Sequence, residues 1–492
     1  MPLSNRFRFS LIAAASALAL SACTTVGPDF KTPDAPTGPA AQGYAMAGDA
    51  AAPGVRLDPD ARTAGPWWQA FGSPELDQTV RLALADSPSV AEARATLERY
   101  QAETRAARGE QLPQVEGTAG AQRERINTQA FGFTGFPSPT ISLYSVGATV
   151  SYDLDLFGGA RRRTEEAQAR AERAARQADA AYLSLSGNVA LQAMKVAGLR
   201  AQIAAVQAVI ADDRQTVEMV RRAHAAGGEA RSATTGAQAQ LAEDEALLPP
   251  LQRQLDQARH QLALLAGKSP AEWSPPDFDM AALTGPAEIP VSLPSTLVRR
   301  RPDILAAEAE LHAATAAVGV AVANQYPDIK LSANLTQSAI KPENLFDYSS
   351  SGWNLLSGVT APIFSGGTLK AERKAAEAEA RASLARYQQT VLRAFVQVSD
   401  ALAALATDRQ AIEALTRSGA AAQANVADAE SAYRLGGGAM IQVVDARRQL
   451  SRARRALAEA QGQRFADMVE LYAATAADWR TPQPADAPSS SR

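Results

Sequence analysis

Few residues in this 492-residue chain have types and spacing suited to chemistry. The only cysteine, Cys23, follows Leu20-Ser21-Ala22. Ahead of it lie a basic start, Arg6 and Arg8, and an apolar run, Phe9 to Ala19, too short to span a bilayer comfortably. That is the pattern of a secretion signal (residues 1–22) cut before a cysteine that then carries lipid. A lone cysteine excludes an intrachain disulfide. The three histidines, His224, His260 and His312, are scattered, so no metal site is expected. Ser, Asp and Glu are abundant, but there is no nucleophile–base spacing and no Gly-rich phosphate loop, so the chain is not expected to be an enzyme. The covalent lipid on Cys23 is the one cofactor-like group expected. A net charge of -3 argues against a nucleic-acid partner. No later run of eighteen apolar residues is read, so no membrane-spanning helix is expected.

The elements around these residues are organised by two junctions, Asp153-Leu154-Asp155-Leu156-Phe157-Gly158-Gly159 and Ala361-Pro362-Ile363-Phe364-Ser365-Gly366-Gly367. At each, strand-like alternation passes into a long Ala/Arg/Glu-rich run, and the glycines permit the sharp turn. Hydrophobic residues make up 46% but aromatics only 6%, which favours helices packed through small side chains over a bulky core.

In order, residues 23–66 read as a lipid-bearing, extended, Pro/Gly-rich tether that does not pack. Residues 67–268 form a first repeat. It has a helix opening at Ser73-Pro74, a β-hairpin over about 114–156, and a long helical hairpin over about 160–267 broken at Gly227-Gly228 and kinked by Pro249-Pro250. A linker, 269–294, leads to a second repeat, 295–478. Its β-hairpin covers about 328–364, with the return strand near Leu355 to Phe364, and its helical hairpin covers about 368–477, broken at Gly436-Gly437. The tail, 479–492, is expected to be disordered. The duplication shows in constant offsets: Pro88 and Pro302 are 214 apart, as are Pro113 and Pro327, while Gly227 and Gly436 are 209 apart.

A helix of about 65 residues reaches ~100 Å and cannot stand alone in water. Leu384, Val391, Val398, Leu405 and Ile412 recur every seven residues, with Tyr387, Ala394 and Ala401 beside them, which predicts a coiled-coil seam. In the strands, Val146, Ala148, Val150, Tyr152 and Leu154 alternate with polar residues, as do Ile329, Leu331, Ala333 and Leu335. Strands of this kind suit a transmembrane barrel, but four leave open edges. Closure therefore needs several copies of the chain.

Several motifs together resemble the lipoprotein (NodT-type) branch of the TolC-like outer-membrane factors. They are Cys23 with Val26-Gly27-Pro28-Asp29-Phe30, Trp67-Trp68, Ser151 to Gly158, Leu293-Pro294-Ser295, Arg300-Arg301-Pro302-Asp303-Ile304 and Pro362 to Gly367. The resemblance implies an α+β membrane protein. Its homotrimer would build a 12-strand β-barrel, four strands per protomer, continued by a long α-helical coiled-coil tunnel in the periplasm. It implies the cell outer membrane as location, and a periplasmic adaptor and an inner-membrane pump of the resistance-nodulation-division class as partners. The implied role is a passive exit duct for small molecules. A protein-secretion conduit and a lipid-anchored periplasmic scaffold without a pore are the alternatives.

The same resemblance assigns Tyr433 and Asp445 to a periplasmic gate, and Gly227, Gly228, Gly436 and Gly437 to hairpin tips that meet the adaptor. Gly438 and Gln442 stand where the family can carry a basic residue and a further acid. Asp445 can equally be a solvated helix residue paired with Arg447 or Arg448. Arg161-Arg162-Arg163 suits either lipid headgroups or a solvated basic face, and Trp67-Trp68 is expected to pack against the helical body.

Overall fold

The computed structural model describes residues 25–41, 43–46, 56–57, 66–132, 135, 137–286 and 289–475. The signal segment 1–22, Cys23 and the tail 479–492 lie outside the described residues. Eight α-helices of more than four residues are described: α1 (Pro74–Asp86), α2 (Pro88–Gly109), α3 (Gly159–Ala225), α4 (Arg231–Glu245), α5 (Leu248–Leu265), α6 (Pro302–Ala323), α7 (Thr368–Arg434) and α8 (Met440–Ala474). Four long strands accompany them: β1 (Gln114–Arg125), β2 (Thr140–Leu154), β3 (Asp328–Ala339) and β4 (Ser351–Thr360). The chain divides into two compact units, and each draws on both sequence repeats.

The first unit takes the N-terminal residues to Pro33, Thr96–Ala175 and Ala306–Tyr387. It holds one antiparallel sheet in the order β1-β2-β3-β4. The hairpins of the two repeats join at the β2–β3 ladder, where Ala148 faces Leu335 and Val150 faces Ala333. Because opposed residues share a face, the register stacks Ala119, Val146, Leu335 and Trp353 with their neighbours on one side. Thr118, Thr149, Asn334 and Asn354 fall on the other. The apolar side is bare: Trp353 is 76% and Leu355 74% exposed.

The return strand expected near Leu355 to Phe364 runs instead from Ser351 to Thr360. Pro362 has no N–H to give a ladder, and Ile363 and Phe364 stand 97% and 90% exposed beyond the strand.

The tether read as extended and unpacked is extended but fastened. Val26 N–H donates to Phe157 O at 3.1 Å. The Arg162 side chain, 3% exposed, donates to Val26 O at 3.2 Å and pairs with Asp29 and Glu165, each at 2.7 Å. Gly27 adopts φ 91° against Gly319, where a Cβ would come within 2.5 Å of the Gly319 Cα. Only glycine fits on either count. Phe30 stacks on His312, centroids 4.4 Å apart.

The arginine triplet is therefore neither a solvated basic face nor a headgroup patch as a whole. Arg162 is buried under the tether, and Arg161 is drawn to Asp155, 3.2 Å away. Asp155 also accepts the Ala160 and Arg161 N–H groups at 2.9 Å each, capping α3.

The second unit takes Asp34–Ala95, Arg176–Leu305 and the chain from Gln388. Its largest fully buried side chains are aromatic: Trp67, Trp68, Phe71 and Tyr472 are buried, and Trp67 stacks on Tyr472 at 5.6 Å. Trp68 Nε1 donates to Asp77 at 2.9 Å. The linker is not a free spacer. Phe278 and Val291 are buried, and Pro290–Val291 pairs in parallel with Arg56–Leu57. Tyr44 is fixed there too, donating to Ser292 O at 2.9 Å.

Pro249-Pro250 does not kink a continuous helix. The helix stops at Glu245 and restarts at Leu248, which places both prolines in a first turn that needs no N–H from them. Of the predicted seam, Tyr387, Val391, Ala394, Val398 and Ala401 are buried, whereas Leu384 is 38% exposed.

The expected absence of a helix apolar enough to span a membrane does not hold. By length and composition α3, α6 and α7 each contain such a stretch. In α6 the apolar content is largely alanine, a small side chain that also lets helices pack closely.

Removing the central indole should be costly: Trp67→Ala is expected to destabilise the fold by about 3–5 kcal/mol, read as a lower melting temperature by circular dichroism in detergent.

Candidate gate at the helical turns

Both helical hairpins reverse with the same backbone device. Gly227 and Gly436 each take φ 76°. Gly227 N–H donates to His224 O and Gly228 N–H to Ala223 O, each at 2.9 Å. Gly436 N–H donates to Tyr433 O and Gly437 N–H to Ala432 O, each at 3.0 Å. A left-handed glycine closing two such bonds satisfies carbonyls that the helix end leaves free. Four residues after each such glycine the next helix begins, at Arg231 and Met440.

An apolar cluster in the second unit holds the two turns side by side. Val217 and Val220 of α3, Ala237 of α4, and Met440 and Val443 of α8 are all buried in it. Tyr433 packs against this cluster through its ring. Lower in the second hairpin, Val426 of α7 packs with Ala446 and Leu450 of α8.

Asp445 lies elsewhere on α8. Its side chain is 55% exposed and lies 3.8 Å from Arg448. The structure does not bond Tyr433 to Asp445. Gln442 accepts the Ala439 N–H at 3.2 Å and so closes the start of α8. A Cβ at Gly438 would meet Ala432 Cβ and Gln442 Oε1 at 3.1 Å, so a larger residue there requires the turn to give.

The strongest polar tie near the turns was not foreseen. Arg447 reaches Glu430 of α7 at 2.6 Å, Thr216 Oγ1 of α3 at 2.8 Å and Asp212 O at 3.1 Å. One guanidinium thus binds both hairpins. Glu430 and Arg447 lie nearly equidistant from the centre of their turn, which is the relation that makes residues neighbours in an antiparallel helix pair. His224 is used locally, its Nδ1 2.8 Å from Glu229 O. Among the described residues no group of His, Cys, Asp and Glu side chains is arranged to hold a metal.

Comparison with known proteins decides the family. Residues 79–268 and 293–477 match the outer membrane efflux protein family. The chain belongs to the outer membrane efflux protein family. Among relatives, the probable efflux pump outer membrane protein TtgC of Pseudomonas putida is 30% identical over 477 residues, 95% of each chain. The probable outer membrane lipoprotein SilC of Salmonella typhimurium is 25% identical over 473 residues, 96% of this chain and 99% of that one. The solved outer-membrane channel OprN superposes with a TM-score of 0.83 at 28% identity, covering 93% of this chain and all of that one. This outer membrane efflux protein therefore resides in the outer membrane and belongs to a family of transport ducts, not of enzymes.

The bridge at Arg447 can be tested directly. Arg447→Met removes a charge-assisted bond, a contact of about 1.5–3 kcal/mol, so opening of the turns should rise ~10- to 100-fold. Limited proteolysis at Arg434 and Arg231 measures that rise, and Arg447→Lys should restore protection only in part.

Proposed function

We propose that three copies of this chain assemble into one 12-strand barrel, each giving four strands, with their helices forming a periplasmic tunnel. The observation that carries this reading is the sheet. It has one apolar and one polar face, and its outer strands β1 and β4 have no further neighbour among the described residues. Backbone groups left unpaired in hydrocarbon cost several kcal/mol each, so a sheet in a bilayer must close on itself. Copies joined β4 to β1 satisfy that demand, turn residues such as Trp353 and Leu355 to lipid and leave a polar lumen.

In this reading the protein is a passive exit duct without enzymatic activity. A periplasmic adaptor, engaging the tips at Gly227-Gly228 and Gly436-Gly437, links it to an energised inner-membrane pump of the resistance-nodulation-division class. Cys23 carries the lipid that anchors the N-terminus. Three exposed Asp445 side chains around one axis form an anionic constriction that favours cations, with Tyr433 lining the turn beside it.

Purified protein in a planar bilayer should give discrete conductance steps, larger in Asp445→Ala than in wild type. Native mass spectrometry should find trimers. A lone subunit that never conducts would exclude the duct, and unchanged conductance in Asp445→Ala would remove Asp445 from the gate.

A further inference from the structure

Each helical hairpin contains two acidic side chains facing one another across its seam. In the first, the buried Asp213 carboxyl of α3 lies against Asp244 of α4. Gln240, one turn before Asp244, donates to its Oδ2 at 2.6 Å. In the second, the buried Asp408 carboxyl of α7 lies against Asp467 of α8. Gln463, one turn before Asp467, donates to its Oδ1 at 2.9 Å. Asp213 Oδ2 and Asp408 Oδ2 are buried, and no N–H or hydroxyl donor reaches either. Two carboxyl groups can share a hydrogen bond only if one of them keeps a proton.

The two pairs occupy the same phase of their hairpins. Asp213 precedes Gly227 by 14 residues and Asp244 follows it by 17. Asp408 precedes Gly436 by 28 and Asp467 follows it by 31. The stagger across each turn is therefore three residues in both. The second pair sits two heptads further from its turn on both helices. Equal stagger, equal seam phase and a glutamine at the same spacing recur, although the four aspartates are not aligned by the sequence repeat.

We propose that these carboxyl pairs are proton-operated latches, one per hairpin, that hold the helices zipped while a proton is shared and loosen them when it leaves. The proposal does not depend on whether the assembled protein conducts.

The surroundings fix the direction of the response. Burial, then the partner carboxyl, pushes Asp213 up to about 7, with Asp212 adding to the rise and Arg447 opposing it. Arg447 is already engaged by Glu430, and Asp212 faces Arg454 at 3.7 Å. Glu243, Arg448, Arg452 and Arg455 line the small cavity of about 130 Å³ beside Gln240 and Asp244. Asp408 is likewise pushed up to about 7 by burial and by Asp467, against Arg464. Glu470, raised by burial and by Asp467, adds a further acid one turn away. An acid raised in the closed state binds its proton more tightly there than in the open state. Closure is then fully stabilised below the ordinary aspartate range and weakens as pH climbs to about 7, where the loss levels off. A site exchanging one proton changes its opening equilibrium about tenfold per pH unit across that window.

Hydrogen–deuterium exchange of the full-length protein in detergent tests this, with intrinsic exchange rates divided out at each pH. Between pH 5.5 and 7, protection around Asp213 and Asp244, and separately around Asp408 and Asp467, should fall about tenfold per unit. Asp213→Asn keeps the shape and a permanent donor, so it should flatten the first hairpin's profile and leave the second unchanged. Asp408→Asn should do the reverse, and Asp244→Asn serves as an alternative should Asp213→Asn fold poorly. A flat wild-type profile overturns the proposal, as does an unaltered slope in the hairpin carrying the asparagine.

Discussion

Lipid offers no hydrogen bonds, and that constraint governs more of this chain than any single contact. A strand in a bilayer must find partners on both sides. Among the described residues the large sheet has four strands, and its outer two have no further neighbour. In the proposed barrel, the requirement for company therefore comes from backbone chemistry, before any side chain is considered. Side chains then decide which way the sheet faces: register places Leu335 beside Ala148 and Trp353 on one side, and Asn334 beside Thr149 and Asn354 on the other.

The helical part answers a different need. Helices of 67 residues, α3 and α7, must bury a continuous stripe along their whole length. Small residues let them approach closely. At the contact of α3 with α8, a Cβ on Gly198 would come 3.4 Å from the Gly462 Cα. Low aromatic content follows from the same geometry. Trp67, Trp68, Phe71 and Tyr472 gather in one knot, while the seam of α7 takes a single large ring from its predicted set, Tyr387.

How much of this was legible depends on the range of the interaction. Period-two alternation exposed the strands, and paired glycines exposed the turns, because both are local. The end of β4 was misplaced because Ile363 and Phe364 look like strand residues, while Pro362 before them removes the ladder donor. The fastening of Val26 to Asp29 was invisible: it relies on Gly27 meeting Gly319 and on Arg162 burying its charge beneath the tether, all far apart in sequence. Arg447 was missed as a bridge because its role needs the hairpin register and the position of Thr216 on a third helix. The assignment of Tyr433 and Asp445 to a gate rests on family likeness alone, since an exposed aspartate such as Asp445 carries no local mark of such a role. The alanine-rich stretches misled in another way. Alanine is apolar enough to suit lipid and small enough to suit a helix seam, so composition by itself does not separate the two.

The sheet is sewn together from both halves of the chain, and this bears on how the protein matures. The first ribbon, β1 with β2, leaves the ribosome long before its neighbour exists; Leu335, which completes the ladder at Ala148, is 187 residues downstream. Until then a greasy, sticky surface travels uncovered through water. Long-range pairings of this sort form slowly and invite clumping. Correct zippering of such distant segments therefore competes with aggregation until both ribbons are made.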